Sequence, residues 1–133
     1  MQKTIGVGIA IIIEKSGEVL FVLRSGTHAG GTWGFPGGKM EYGEEFVPAI
    51  LREVREELKI RITTPTFFYA TNDFFSESGK HYITIFMKAR YLSGTCMSCE
   101  PEKHGNGVWF PKDALPSPLM LPIANLLRAV KSL

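Results

Sequence analysis

The chain has 133 residues, 15 basic against 13 acidic for a net charge of +2, and 44% hydrophobic residues with a mean hydropathy near zero. That length and balance suit one domain with a single core, spanning residues 1–133. There is no basic stripe for a nucleic-acid polymer, no apolar run long enough for a bilayer and no basic-then-apolar leader, so a cytoplasmic protein working on a small molecule is expected.

Residues 5–13 are continuous in apolar and β-branched side chains and predict a buried strand. Ser16-Gly17 makes a turn, and 19–24 is the second strand of a hairpin. Residues 25–32, with three glycines, form a loop. The tight segment Gly34-Phe35-Pro36-Gly37-Gly38 then runs into an amphipathic helix over about 45–59. Pro48 is tolerated only in a first turn, which sets the helix start at 44–46. Residues 66–75 and 81–92 predict two long strands joined by a hairpin-type connection at 76–80. Residues 93–107 read as a polar loop, 108–110 as a short strand, 112–115 as a turn, and 122–133 as a helix with Pro122 at its start. The whole predicts an α/β (α+β) architecture, a mixed sheet covered by helices.

Within the helix, Val47, Ile50, Leu51, Val54 and Leu58 recur at three- and four-residue spacing and define an apolar face. Glu53, Glu56 and Glu57 share another face, expected towards solvent or a ligand. Carboxylates this crowded repel one another unless a cation lies between them, and oxygen-rich clusters suit hard divalent ions such as Mg2+. Arg52 to Glu56 reads equally well as an ordinary i, i+4 ion pair, but such a pair needs neither the glycine-rich loop nor the separate Glu44. Cys96 and Cys99 form a lone C-x-x-C. Zinc would require a second pair of ligands, and His81 and His104 lack the spacing, so two reduced thiols are expected.

The segment from Gly38 to Ile60 resembles the Nudix box, G-x5-E-x7-R-E-U-x-E-E-x-G-U with U apolar; the departure is Lys59, where the pattern has glycine. Residues 7–13, 19–24, 33–38, 81–87, 100–103, 109–111 and 115–119 extend the resemblance to MutT-like members. It implies the Nudix α/β/α sandwich with a loop-helix-loop catalytic motif. It also implies a Mg2+-dependent hydrolase (Mn2+ substituting) that cleaves a nucleoside triphosphate to monophosphate and pyrophosphate, working as a monomer or homodimer.

By the same resemblance Glu56 and Glu57 are principal metal ligands, with the Gly37 carbonyl contributing. Glu53 is a general base or further ligand, Glu44 a ligand or water-orienting group, and Arg52 the brace of the carboxylates. Glu102 is the expected distal metal ligand, with Glu100 the alternative. Arg24 and Lys39 would meet phosphate. Phe35, Phe74, Met120 and Leu121 would enclose the base, and Asn72 or Asp73 would read its edges. In one MutT type an asparagine in the C-terminal segment reads an oxidised guanine; residues 118–121 here contain none. The rival readings are a Nudix hydrolase of another diphosphate (ADP-ribose, a nucleotide sugar or a prenyl diphosphate) and a nucleotide-binding regulator without chemistry.

Overall fold

The computed structural model describes residues 3–26 and 28–133. The chain first builds a hairpin from β1 (Ile5–Lys15) and β2 (Glu18–Leu23). Its two-residue turn puts Ser16 and Gly17 at φ of 50° and 81°, the doubly left-handed geometry that matches strand twist. Residues 25–32 form the expected loop, of which Thr27 lies outside the described residues. Two short strands follow, β3 (Trp33–Gly34) and β4 (Gly37–Lys39), then α1 (Phe46–Glu57), β5 (Leu58–Ile62), β6 (Thr66–Phe75), β7 (Lys80–Ser98), β8 (Val108–Pro111) and α2 (Leu121–Ala129).

The sheet is mixed. At its centre β1 and β7 run parallel, in register from Ile5 against His81 to Glu14 against Arg90. On its other edge β1 is shared between β2 near Glu14–Lys15 and β4 at Gly8–Ala10. β7 is shared in the same way between β6 and β5, both antiparallel to it. Because side chains alternate across a strand, Ile9, Ile11 and Ile13 face one side and Ile12 the other. The first set packs with Ala49, Ile50 and Val54 of α1, and the second with Ile123 and Leu126 of α2. Two cores on the two faces of one sheet make the α/β/α sandwich.

Three expectations need correction. The helix ends at Glu57, not Lys59, and Leu58 leaves it with extended backbone into β5. Leu58 and Ile60 are buried while Lys59 and Arg61 are exposed, a period-two pattern that the three- and four-residue spacing had masked. Lys59 therefore stands in a strand and needs no left-handed φ. Residues 93–98 are not loop: β7 continues through them to pair with β5, and a Cβ on Gly94 would lie 2.2 Å from the Lys59 carbonyl oxygen. Finally, the C-terminal helix stops at Ala129, and Val130 turns extended so that Leu133 folds back into the core.

Candidate active site

The helix carboxylates do not share one exposed face. Glu53 and Glu57, one turn apart, lie on the buried side of α1 with Ala49, Ile50 and Val54, while Glu56 is exposed. Leu51, expected on the apolar face, is 38% exposed. The buried carboxylates fit because β4, opposite them, begins with two glycines. A Cβ on Gly38 would lie 2.6 Å from both Glu53 carboxylate oxygens, and one on Gly37 would lie 2.1 Å from the Ile9 carbonyl oxygen. Those are contacts that only glycine permits. The Gly37 N–H donates to Glu57 Oε1 at 2.6 Å, so the glycine loop positions the carboxylate through its backbone.

Arg52 organises the outer half of the site. It donates to Glu44 through Nε (2.6 Å) and Nη2 (2.8 Å), to Glu53 Oε1 (2.8 Å) and to Glu56 Oε1 (3.0 Å) through Nη1, and to the Lys39 carbonyl (3.2 Å). Those hydrogen bonds, with one from the Glu41 N–H, hold the Glu44 carboxyl down at about 2. Burial pushes Glu53 up, against the pull of Arg52. Burial pushes Glu57 up to about 7, with the Gly37 N–H and Arg24 opposing and Glu53 adding repulsion.

The inner half is closed by the segment after β7. The Cys99 N–H donates to the Glu57 carbonyl, and the backbone turns so that the N–H groups of Lys103 and His104 both donate to the Glu100 carbonyl. The end of β2 clamps this turn, with Arg24 bridged to His104 and the Gly105 N–H donating to the Leu23 carbonyl. Glu57, Glu100 and His104 thereby bring ligand atoms within 4.8 Å of one another. Glu102 is exposed and outside this group; Glu100, the alternative, is the one turned inward. His104 entered the sequence reading only as a zinc partner for the cysteines. Its signal was the four-residue spacing from Glu100, informative only once a turn joins them.

A cavity of about 260 Å3 opens beside β4 on the α2 side, lined by Arg24, Phe35, Gly37, Lys39, Thr84 and Met120 among others. That volume falls just below the range of small-ligand pockets, about 300–1,000 Å3. Arg24 belongs to both regions: it lines the cavity and its Nη1 lies 3.3 Å from Glu57 Oε2. Lys39 Nζ stands 6.0 Å from the Tyr82 ring centroid at the rim. Asn72 and Phe74 are exposed and do not line the cavity; Asn72 instead meets His81, and Phe74 packs edge-on to that ring. Strand alternation explains this, since Thr71, Asp73 and Phe75 take the inward face of β6. Asp73 is fully buried and occupied, accepting from Thr71 (3.0 Å), Thr84 (2.6 Å) and Asn125 (2.8 Å). His28, Tyr82 and Thr84 line the cavity without having been singled out in the sequence. Both cysteines are free thiols, Cys96 partly buried and Cys99 exposed.

The NUDIX domain model matches residues 2–130. The chain belongs to the NUDIX family. Among curated NUDIX relatives it is 32% identical over 114 residues to the 8-oxo-dGDP phosphatase NUDT18 of Mus musculus, a match covering 84% of this chain and 33% of that protein. It thus spans about a third of the length of that relative. It is also 32% identical over 127 residues to the CTP pyrophosphohydrolase of Escherichia coli (strain K12), covering 94% of this chain and 90% of the relative. Among solved structures, the MutT NUDIX hydrolase from Burkholderia pseudomallei superposes with a TM-score of 0.86 at 29% identity, over 96% of this chain and 100% of that one.

The donor set of this NUDIX site fits a divalent cation. Glu57, a buried carboxylate with a raised pKa, converges on Glu100 and His104, and Glu53, also raised by burial, lies one turn away on α1. Among the described residues, His104 Nε2 is a buried side-chain atom with no hydrogen-bond partner. A cation between these groups would relieve the carboxylate repulsion and supply that missing partner. No helix in the described residues is long and apolar enough to cross a membrane.

Proposed function

We propose that the chain is a divalent-metal-dependent hydrolase that cleaves a nucleoside triphosphate to a nucleoside monophosphate and pyrophosphate. The observation that carries this reading is the meeting of two buried carboxylates, Glu53 and Glu57, with Arg24 and the Gly37–Gly38 backbone at the wall of a cavity. The E. coli relative, matched over nearly its whole length, is a pyrophosphohydrolase by name and supports the same reaction class.

Glu57, Glu53 and Glu100 would hold Mg2+ or Mn2+, with Glu56 and the Gly37 carbonyl at the outer edge. When bound, such an ion neutralises phosphate oxygens and lowers the pKa of water. The chain's own groups do the rest. Arg24 and Lys39 face the polyphosphate with fixed positive charge. Arg52 pins Glu53 Oε1, which leaves Oε2 to take the proton of the attacking water. Glu44 fixes the angle of Arg52 through two hydrogen bonds. Phe35 and Met120 offer apolar walls to the base.

The mouse relative is by name a phosphatase of a nucleoside diphosphate, which makes a diphosphate the second substrate to test. Incubation of the purified chain with Mg2+ and a panel of nucleoside tri- and diphosphates, ADP-ribose and nucleotide sugars tests both. Pyrophosphate release from a triphosphate is expected, reduced about 10²–10⁴-fold in Glu53→Gln. Nucleotide binding with no turnover of any panel member would make the chain a binding module instead.

A further inference from the structure

We propose that His104 is a metal ligand through Nε2, so that Glu57, Glu100 and His104 form a mixed nitrogen–oxygen site that takes a first-row transition ion such as Mn2+ or Co2+ in preference to Mg2+. The inference deepens the metal-dependent reading above and rests on it. His104 is fully buried, which is a costly place for an imidazole with an unpaired nitrogen.

The protonation pattern of the ring follows from its neighbours. Nδ1 lies 2.8 Å from the Gly105 carbonyl oxygen, which can only accept, so Nδ1 carries the proton. Ser98 Oγ, 3.3 Å from Nδ1, already donates to the His104 carbonyl. An Nδ1–H bound to a backbone carbonyl is the outer-shell arrangement that fixes a histidine tautomer and presents Nε2 as a lone pair. Here Nε2 lies 3.9 Å from Glu57 Oε2 and 4.0 Å from Glu100 Oε1.

Those distances are too long for hydrogen bonds; only one of them can span opposite positions of an octahedral ion, so a shared ion would draw the other carboxylate about 1 Å closer. With metal–ligand bonds of about 2.0–2.2 Å, donor atoms around one octahedral ion stand about 3 Å apart when adjacent and about 4.2 Å when opposite. Two cations border the three donors, and Arg24 already donates to Glu57 Oε2, the oxygen nearest His104, so a bound ion would share that oxygen with it. Lys103 binds the other oxygen of Glu100, Oε2, from the exposed side. Arg24 Nη1 approaches Glu57 Oε2 at 3.3 Å, longer than a charge-assisted hydrogen bond of about 2.7–2.9 Å. An imidazole nitrogen shifts preference along the first row away from Mg2+, which favours all-oxygen shells and retains its waters.

The test uses the full chain loaded with Mn2+ alone and no nucleotide. Pulsed electron paramagnetic resonance should show modulation from a directly bound nitrogen, and protein grown with 15N-histidine should convert it to the 15N pattern. His104→Gln should abolish the modulation and weaken Mn2+ binding at least about tenfold, with Mg2+ affinity changed by less than about threefold. Should His104→Gln fail to fold, the double variant His28→Gln/His81→Gln leaves His104 as the sole histidine and should keep the signal. Bound Mn2+ without nitrogen modulation would overturn the ligand assignment and leave the metal-dependent hydrolase standing. Failure of the chain to bind Mn2+ or Mg2+ at all would overturn both.

Discussion

Two carboxylate clusters meet at α1 and are built on opposite principles. Around Arg52, one guanidinium is shared by Glu44, Glu53 and Glu56 at 2.6–3.0 Å, so each carboxylate has a donor although a single positive charge serves all three. Around Glu57 the carboxylate takes the Gly37 N–H at 2.6 Å and Arg24 at 3.3 Å, while Glu100 and the unpartnered His104 Nε2 face it without a cation between them. The first cluster is a brace that folding completes. The second leaves a buried nitrogen unpartnered beside two carboxylates, and on the reading proposed above a cation would complete it. Acids that look alike in sequence thus differ by partner: Glu44 belongs to the Arg52 brace, Glu57 to the inner group, and Glu53 stands between the two.

The sharpest way to break that contrast is Glu57→Gln. The amide keeps the shape and can still accept from the Gly37 N–H, but it lacks the charge a cation needs. Hydrolysis of the best triphosphate should fall at least about 100-fold. The metal-free protein should melt at the same or a higher temperature, because a poorly compensated buried charge has gone. A variant within tenfold of the parent rate would show that the inner cluster is ordinary structure.

Arg52→Met attacks the opposite pole. Glu44, Glu53 and Glu56 would lose their shared donor, and the metal-free protein should lose about 1–2 kcal/mol in urea unfolding, at the low end because solvent reaches the guanidinium. Activity should fall as well, since Glu53 would no longer be held by Nη1. The two substitutions should therefore move metal-free stability in opposite directions while both reduce turnover.

Acidity separates the clusters without mutation. Glu57 titrates at about 7 when folded and near its ordinary 4.5 when unfolded. Between those values the folded chain holds a proton that the unfolded chain has released, so metal-free stability falls as pH rises from about 4.5 to about 7. Glu53, also raised, adds to the same limb. Glu44 is held at about 2, so its contribution is present above about 4.5 and is lost as pH drops towards 2. Melting temperature against pH should peak near 5 in the metal-free protein. Glu57→Gln should flatten the neutral limb and Glu44→Gln the acidic one. Saturating Mn2+ should lift the neutral limb selectively, because a cation binds the carboxylate form.

Much of this was legible before any coordinates. The turn at Ser16-Gly17, both strands of the second hairpin and the start of α1 all follow from local chemistry, as does the role of the glycines in front of the helix. What escaped the sequence depended on partners distant along the chain. Leu58-Lys59-Ile60 satisfies helical and strand periodicity alike, and only pairing with β7 decides between them. The burial of Glu53 and Glu57 depends on the absence of side chains at Gly37 and Gly38, a fact about the facing strand. Asn72 shows the same limit in reverse: its residue type suited base reading, but the parity of β6 turns it outward.

The distal glutamate gives the smallest and most discriminating prediction. Glu100 and Glu102 are two residues apart, and sequence favoured Glu102 from its place in the Pro-Glu-Lys run. Folding ranks them otherwise. The turn closed by the Lys103 and His104 N–H groups on the Glu100 carbonyl brings the Glu100 carboxylate beside His104 and Glu57, while Glu102 projects from the turn into solvent. Glu100→Gln should therefore lower Mn2+ affinity and turnover about tenfold. Glu102→Gln should leave both within about twofold, as expected of a solvated surface change. Metal titration of the two variants side by side checks the ranking, and the reverse order would mean that the turn rearranges when the cation arrives, carrying Glu102 inward in place of its neighbour.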